Sequence, residues 1–327
     1  MVYLLPMQKN ITGPVITVIV VLVLIVGVVA LVTGKFSYFA SSPEATSTTP
    51  IAQVTPTPPV STSTVSTSTT PVEPAPAPVD ESKTVIGMSA GGNAITAYHY
   101  GDGQKELLFI GGIHGGYSWN TALVAYEMMD YLEANGNAIP DNVKVTVIPV
   151  LNPDGLKAVT GSTGRFAASA VPKDQKATVK GRFNANNVDL NRNFDCEWKS
   201  NGVWQDTPVS GGGAAFSEPE AKAIKTYVEG NDIAGAVVWY SAAGGVYTSN
   251  CRTGVLSQTK ELTELYAKAS GYSENAEFDF YEITGDMVNW FARENIPAIS
   301  VLLSTHSDPE WSSNKAGVAA VLKYYAE

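Results

Sequence analysis

Only three histidines occur among the 327 residues, and they bound the chemistry the chain can do. His114 stands in the glycine-rich stretch GGIHGG, directly after an apolar run, at the end of an expected strand. His306 is followed by Asp308 and Glu310 in STHSDPEW. That set could hold a metal ion, or it could be solvated loop charge. His99, in AITAYHYGDG, reads as a structural residue on an early strand or its turn. The two cysteines, Cys196 and Cys251, could form one disulfide in an oxidising compartment or remain two buried thiols. A net charge of −10 argues against a nucleic-acid partner.

These side chains need elements to position them. ELLFIG at 106–111 has the composition of a buried strand running into a glycine turn. A helix is expected from near Ser118, with an apolar face through Ala122, Met129 and Leu132, ending at Asn135-Gly136. VKVTVIPV at 143–150 reads as a second strand, ended by the turn NPDG, and AGAVVWY at 234–240 as a third. The SEPE at 217–220 predicts a helix opened by a capping box between Ser217 and Glu220. Helices are expected at 257–270 and 286–294, flanking a fourth strand, PAISVLL, at 297–303, with a last helix from about Asn314. Such alternation predicts an α/β fold, a doubly wound, mixed but mainly parallel sheet with helices on both faces, in a single domain at 83–327. In that architecture the site lies beyond the carboxyl ends of the strands, which is where His114, Asn152, Tyr240 and Leu303 fall. Trp239 and Tyr240 could meet a ligand there or fill the core.

The first 82 residues are of another kind. Residues 15–32 are an unbroken apolar run without charge, spanning roughly 27 Å as a helix, about a bilayer's hydrocarbon thickness. The expectation is a short segment at 1–13, an uncleaved transmembrane helix at 14–33, and a disordered Ser/Thr/Pro-rich stalk at 34–82 that lifts the domain off an extracytoplasmic membrane face. A cleaved signal peptide is the competing reading.

Taken together, GGIHGG, NPDG, VDLNRNF, FSEPE and YEITGDMVNW resemble the zinc carboxypeptidase family of the carboxypeptidase A and B type, in order across the domain. The resemblance implies a zinc held by two His and one Glu, with a further Glu activating the metal-bound water. His114 matches the first ligand. Tyr117 and Ser118 stand where the ligating Glu is expected, Tyr240 where the second His is expected, and Leu302 where the catalytic Glu is expected. Losing two ligands should cost zinc at least ~10⁴-fold in affinity, and losing the base another ~10²–10⁴ in rate. Zinc is therefore not expected to bind tightly unless His306, Asp308 and Glu310 rebuild a site. His306 lies four residues beyond Leu302, roughly 13 Å along an extended chain.

The resemblance treats the gripping residues differently. Asn191 and Arg192 match the pair that binds the substrate's terminal carboxylate, Arg182 matches the arginine that helps hold the scissile carbonyl, and Tyr281 matches the tyrosine that closes over the terminal residue. An arginine fork suits a carboxylate because it can bond both oxygens at once. Val288 matches a position shaping the side-chain pocket and implies an apolar or small terminal residue. Cys196 and Cys251 would staple two loops beside the same cleft. Three functions are consistent with these residues: an inactive fold that captures peptide C-termini, including those of cell-wall peptides; an active peptidase with a rebuilt metal site; or a structural surface protein with a relic cleft.

Overall fold

The computed structural model describes residues 80–327 except Thr253. The membrane helix expected at 14–33 and all of the stalk but 80–82 lie outside the described residues. Among the described residues no helix is long and apolar enough to cross a membrane.

The chain opens with an antiparallel hairpin, β1 (Lys83–Met88) and β2 (Ala94–Tyr100), followed by β3 (Lys105–Ile110) and α1 (Trp119–Ala134). β4 (Val143–Ile148) leads into α2 (Pro153–Thr160), and short turns then cross to a small separate hairpin, β5 (Asn201–Trp204) and β6 (Thr207–Ser210). Next come α3 (Pro219–Glu229), β7 (Ile233–Ser241), β8 (Gly245–Thr248), α4 (Ser257–Ser270) and β9 (Ser273–Asn275). The chain closes with α5 (Met287–Arg293), β10 (Ala298–Leu303) and α6 (Trp311–Ala326). Eight strands form one sheet in the order β1-β2-β4-β3-β7-β10-β8-β9. Its centre, β4-β3-β7-β10, is parallel, while β1, β2 and β8 pair antiparallel. The mixed, mainly parallel sheet expected from the sequence is thus the one observed.

Side-chain alternation along the central strands explains the two layers of helices. Leu107 and Phe109 of β3, Val237 and Trp239 of β7, and Ile299, Val301 and Leu303 of β10 pack with α1, α4 and α6. Their neighbours Leu108, Ile110, Ala236, Val238, Tyr240 and Leu302 pack with α3 and α5. Trp239 therefore belongs to the core and not to a ligand site. Its indole nitrogen donates to the Tyr266 hydroxyl and to Asn314 Oδ1, each at 3.2 Å.

Two helix starts depart from expectation. The capping box between Ser217 and Glu220 does not form, because α3 begins at Pro219, a residue suited to the first helical position. Ser217 Oγ instead donates to Glu218 Oε1, and Glu220 accepts from the Ala90 backbone and from Asn184 Nδ2. The last helix begins at Trp311, not Asn314, because the Asn314 amide turns back to the Pro309 and Glu310 carbonyls inside the first turn.

Candidate functional site

A cleft of about 840 Å³ opens at the carboxyl ends of β3, β7 and β10. His114 enters it from the loop after β3, Tyr240 and Ser241 from the tip of β7, and Leu302 from β10. Parallel pairing sets Leu302 directly opposite Tyr240, so both face the same side of the sheet. The glycines around His114 let its loop run against α2: a Cβ on Gly116 would stand 2.5 Å from the Gly155 carbonyl oxygen. Gly112 also takes φ +62, a conformation open to glycine.

His114 is buried and has both ring nitrogens occupied. Nε2 lies 3.1 Å from Asp189 Oδ1, and Nδ1 faces Nη1 of Arg182 at 3.5 Å. Burial, aided by the Arg182 charge, lowers its pKa from 6.5 to about 4, so the ring is neutral at pH 7. The arrangement fits one tautomer, with Nε2–H donating to Asp189 and the Nδ1 lone pair turned to the guanidinium. Asp189 is fully buried, and its acceptors are filled by His114, Arg182 and the Asn191 backbone N–H. Burial alone would raise its pKa, but Arg182 and His114 hold it far below the usual carboxylate range. Arg182 is itself sandwiched, its guanidinium carbon 4.4 Å from the Trp204 ring centre and 5.8 Å from that of Tyr117.

Tyr240 is buried beside His114, with ring centres 6.2 Å apart. Its hydroxyl donates to Asn191 Oδ1 at 3.1 Å, the same oxygen that accepts the Met287 N–H at 3.2 Å. Burial holds the Tyr240 pKa well above 10, so the phenol stays neutral.

A catalytic zinc needs three donor side chains and an open position. His114 keeps a carboxylate on its far nitrogen, the usual support of a metal-bound histidine. The nitrogen that would bind the metal, however, faces a guanidinium, and around it stand a neutral phenol and the apolar Leu302. Among the described residues no group of three His, Cys, Asp or Glu side chains could hold a metal ion. The residues present do not fit zinc.

The other expected residues divide. Tyr117 lines the cleft at the place expected for the ligating Glu, whereas Ser118 does not: it precedes α1, 1% exposed, its Oγ making no capping bond and no other. Asn191, Arg182 and Tyr281 line the cleft as expected. Arg192 does not. It is fully buried, with Nε and Nη2 donating to the Val203 carbonyl and Nη1 to that of Asn191. Tyr281 lies above it, 5.9 Å from the guanidinium carbon. Val288 is likewise withdrawn into the core, 1% exposed. Asp286, two residues earlier, takes the place in the cleft wall.

His306 reaches the cleft and contacts Ser241 Oγ through Nδ1 at 3.1 Å, but Asp308 and Glu310 do not accompany it. Asp308 caps the Glu310 N–H, while Glu310 accepts from Ser304 and the Tyr272 hydroxyl. His99 bridges the hydroxyls of Thr146 and Thr84, away from the cleft. Cys196 and Cys251 are joined in a disulfide, and their neighbours Glu197 and Arg252 pair at the cleft wall.

Three contributors went unread in the sequence: Asp189, Trp204 and Asp286. Asp189 carried a signal, lying inside VDLNRNF three residues before Arg192, where a carboxylate could orient a neighbouring histidine. Trp204 carried none, and Asp286, inside YEITGDMVNW, reads only as the start of a helix.

The family model for zinc carboxypeptidases matches residues 80–310. Metallocarboxypeptidase A of Arthroderma otae is 28% identical over 233 residues, which cover 62% of this chain and 53% of the relative. Bacteriocin BCN5 of Clostridium perfringens is 28% identical over 159 residues, 47% of this chain and 16% of the relative. The chain thus spans about half of the fungal relative and a small part of the bacteriocin. Among solved structures, bovine thrombin-activatable fibrinolysis inhibitor superposes with TM-score 0.59 at 14% identity, over 74% of this chain and 89% of that one. Murein-tripeptide amidase MpaA from Escherichia coli O157 gives TM-score 0.51 at 20% identity, over 76% and 94%. At these identities the likeness concerns the fold.

Proposed function

Because the chain belongs to the zinc carboxypeptidase family, we propose that it uses the family's cleft to hold peptide C-termini without hydrolysing them. The observation that carries this reading is the setting of His114, whose metal-facing nitrogen meets Arg182 at 3.5 Å while Tyr240 and Leu302 fill the surrounding positions. An open cleft of about 840 Å³ remains beside it, large enough for a terminal residue and part of its neighbour.

Within that reading the carboxylate clamp is Arg182 with Asn191, not Asn191 with Arg192. Both line the cleft, and Arg182 keeps N–H groups beyond those it gives Asp189. Among the described residues the Asn191 amide nitrogen has no partner, its oxygen being taken by Tyr240 and Met287. Cell-wall peptides are among the candidate ligands, and the apolar run at 14–33 would tether the domain outside the cytoplasmic membrane. The rebuilt-metal-site reading has less support, since Asp308 and Glu310 bond elsewhere.

Calorimetry on the metal-stripped protein tests the proposal. The expected result is no zinc binding at micromolar affinity, and binding of a peptide acid that falls by about 10- to 100-fold when its C-terminus is amidated. Stoichiometric zinc at micromolar affinity, or release of the terminal residue, would overturn it.

A further inference from the structure

His306 ends a short hydrogen-bond chain whose direction is fixed from its far end. Asn120 is fully buried, and its Nδ2 donates to the Thr305 and Asp308 carbonyls at 2.7 and 3.0 Å. A carbonyl oxygen only accepts, so the Asn120 amide cannot be turned round, and Oδ1 is the atom that faces Ser241. The Ser241 hydroxyl donates to that oxygen at 3.1 Å. With its one hydrogen committed, Ser241 Oγ can only accept from His306 Nδ1, 3.1 Å away. Nδ1 therefore carries the ring's proton. Burial and the Arg182 charge lower the His306 pKa from 6.5, so the ring is neutral at pH 7 and Nε2 is a bare lone pair. His114, protonated on Nε2, is the opposite tautomer.

His306 lines the cleft, and its Nε2 has no hydrogen-bond partner among the described residues. The ring is held there against Tyr117, with ring centres 4.6 Å apart. The same Tyr117 ring lies 5.8 Å from the Arg182 guanidinium carbon, so the acceptor on His306 and the donors on Arg182 flank one side chain. A peptide drawn to Arg182 and Asn191 by its carboxylate also brings backbone N–H groups. Each N–H that loses its water on entering the cleft needs an acceptor in exchange. Glu277 and Asp279 line the cleft as well, but a neutral imidazole costs less to strip of water than a carboxylate.

We propose that His306 Nε2 accepts a backbone N–H of the captured peptide, with Ser241 and Asn120 as the positioning residues that fix its tautomer. The ligand is thereby narrowed to chains with a secondary amide at one of their last two bonds, and an ester or prolyl bond there is held less well. The inference rests on the capture reading and adds the acceptor that the carboxylate clamp lacks.

The test is calorimetry of the full-length protein with a peptide acid and two analogues, in which the last or the next-to-last amide is replaced by an ester. The ester keeps the shape of the bond and lacks the N–H. One of the two esters should bind about 3- to 10-fold more weakly than the parent peptide. His306→Phe keeps a ring against Tyr117 and should bind that ester and the parent alike. An ester is also a poorer acceptor at its carbonyl, but a loss of that origin would persist in H306F. Nitrogen NMR of the three histidines reads the tautomer without any substitution, and one signal should show Nδ1 protonated and Nε2 bare at pH 7. Equal binding of the parent and both esters, a penalty that survives in H306F, or no histidine with a bare Nε2 overturns the proposal and leaves capture standing. Absence of binding by the parent peptide overturns both.

Discussion

Arg182 and Asp189 form a buried ion pair at the cleft wall, with Nε 2.9 Å and Nη2 2.7 Å from Oδ2 and side-chain exposures of 3% and 0%. Removing one member of such a pair strands the other charge in the interior. Arg182→Ala should therefore lower the unfolding free energy by about 3–5 kcal/mol. Arg182→Lys should restore only part of it, because an ammonium cannot reproduce the planar fork. Urea denaturation measures both, and a loss for R182A no larger than that of an ordinary surface substitution would contradict the pairing.

Stability should also fall in mild acid. The His114 pKa is depressed from 6.5 in the unfolded chain to about 4 in the folded one, so folding favours the neutral ring. That contribution is fully present above pH 6.5 and is lost as the pH falls through the window to about 4, amounting to about 3 kcal/mol across it. His114→Gln cannot take up the proton. Its denaturation midpoint should accordingly vary less across this window than that of the unaltered protein, and parallel curves would show that His114 does not titrate as described.

Much of this geometry was legible in the sequence, and the reason is periodicity. Apolar strands such as 298–303 and 233–241 announce themselves, and α4 begins and ends where its pattern does. Once the central strands are parallel, His114, Tyr240 and Leu302 must converge at their carboxyl ends. What the sequence withheld was direction. Arg192 turns to the carbonyl of Val203, eleven residues on, in a hairpin whose placement no pattern encodes. The phase of α5 decides the wall in the same way: beginning at Met287, it leaves Asp286 at the cap facing the cleft and turns Val288 into the core.

Reduction of the Cys196–Cys251 disulfide should be felt in the fold and in the cleft. The bond spans 55 residues, and releasing a loop of that length should cost about 2–4 kcal/mol. The thermal midpoint of a Cys196→Ser, Cys251→Ser variant should fall accordingly. Peptide affinity should drop as well, since the neighbouring Glu197–Arg252 pair forms part of the wall. A midpoint indifferent to reductant would remove the disulfide from the account.

Two glycines give a matched test of how Arg192 is seated. A Cβ at Gly202 would stand 2.8 Å from Arg192 Cδ, whereas one at Gly213 meets nothing within 4 Å. Arg192 is fully buried. Gly202→Ala should destabilise the protein by about 1–3 kcal/mol, and Gly213→Ala by much less. Equal effects in chemical denaturation would mean that Arg192 is not packed against the hairpin.

The contact between Arg182 and the open nitrogen of His114 has a consequence for reversibility. A metal approaching that nitrogen would meet the same guanidinium that neutralises Asp189, so metal occupancy and the buried ion pair work against each other. Placing a histidine at 240 or a carboxylate at 302 alone would add an unpartnered polar group to the interior while leaving this opposition in place. On the capture reading, each such single substitution is expected to lower stability without creating a metal site. A metal site here would, on that reading, require a concerted change at several positions, Arg182 among them.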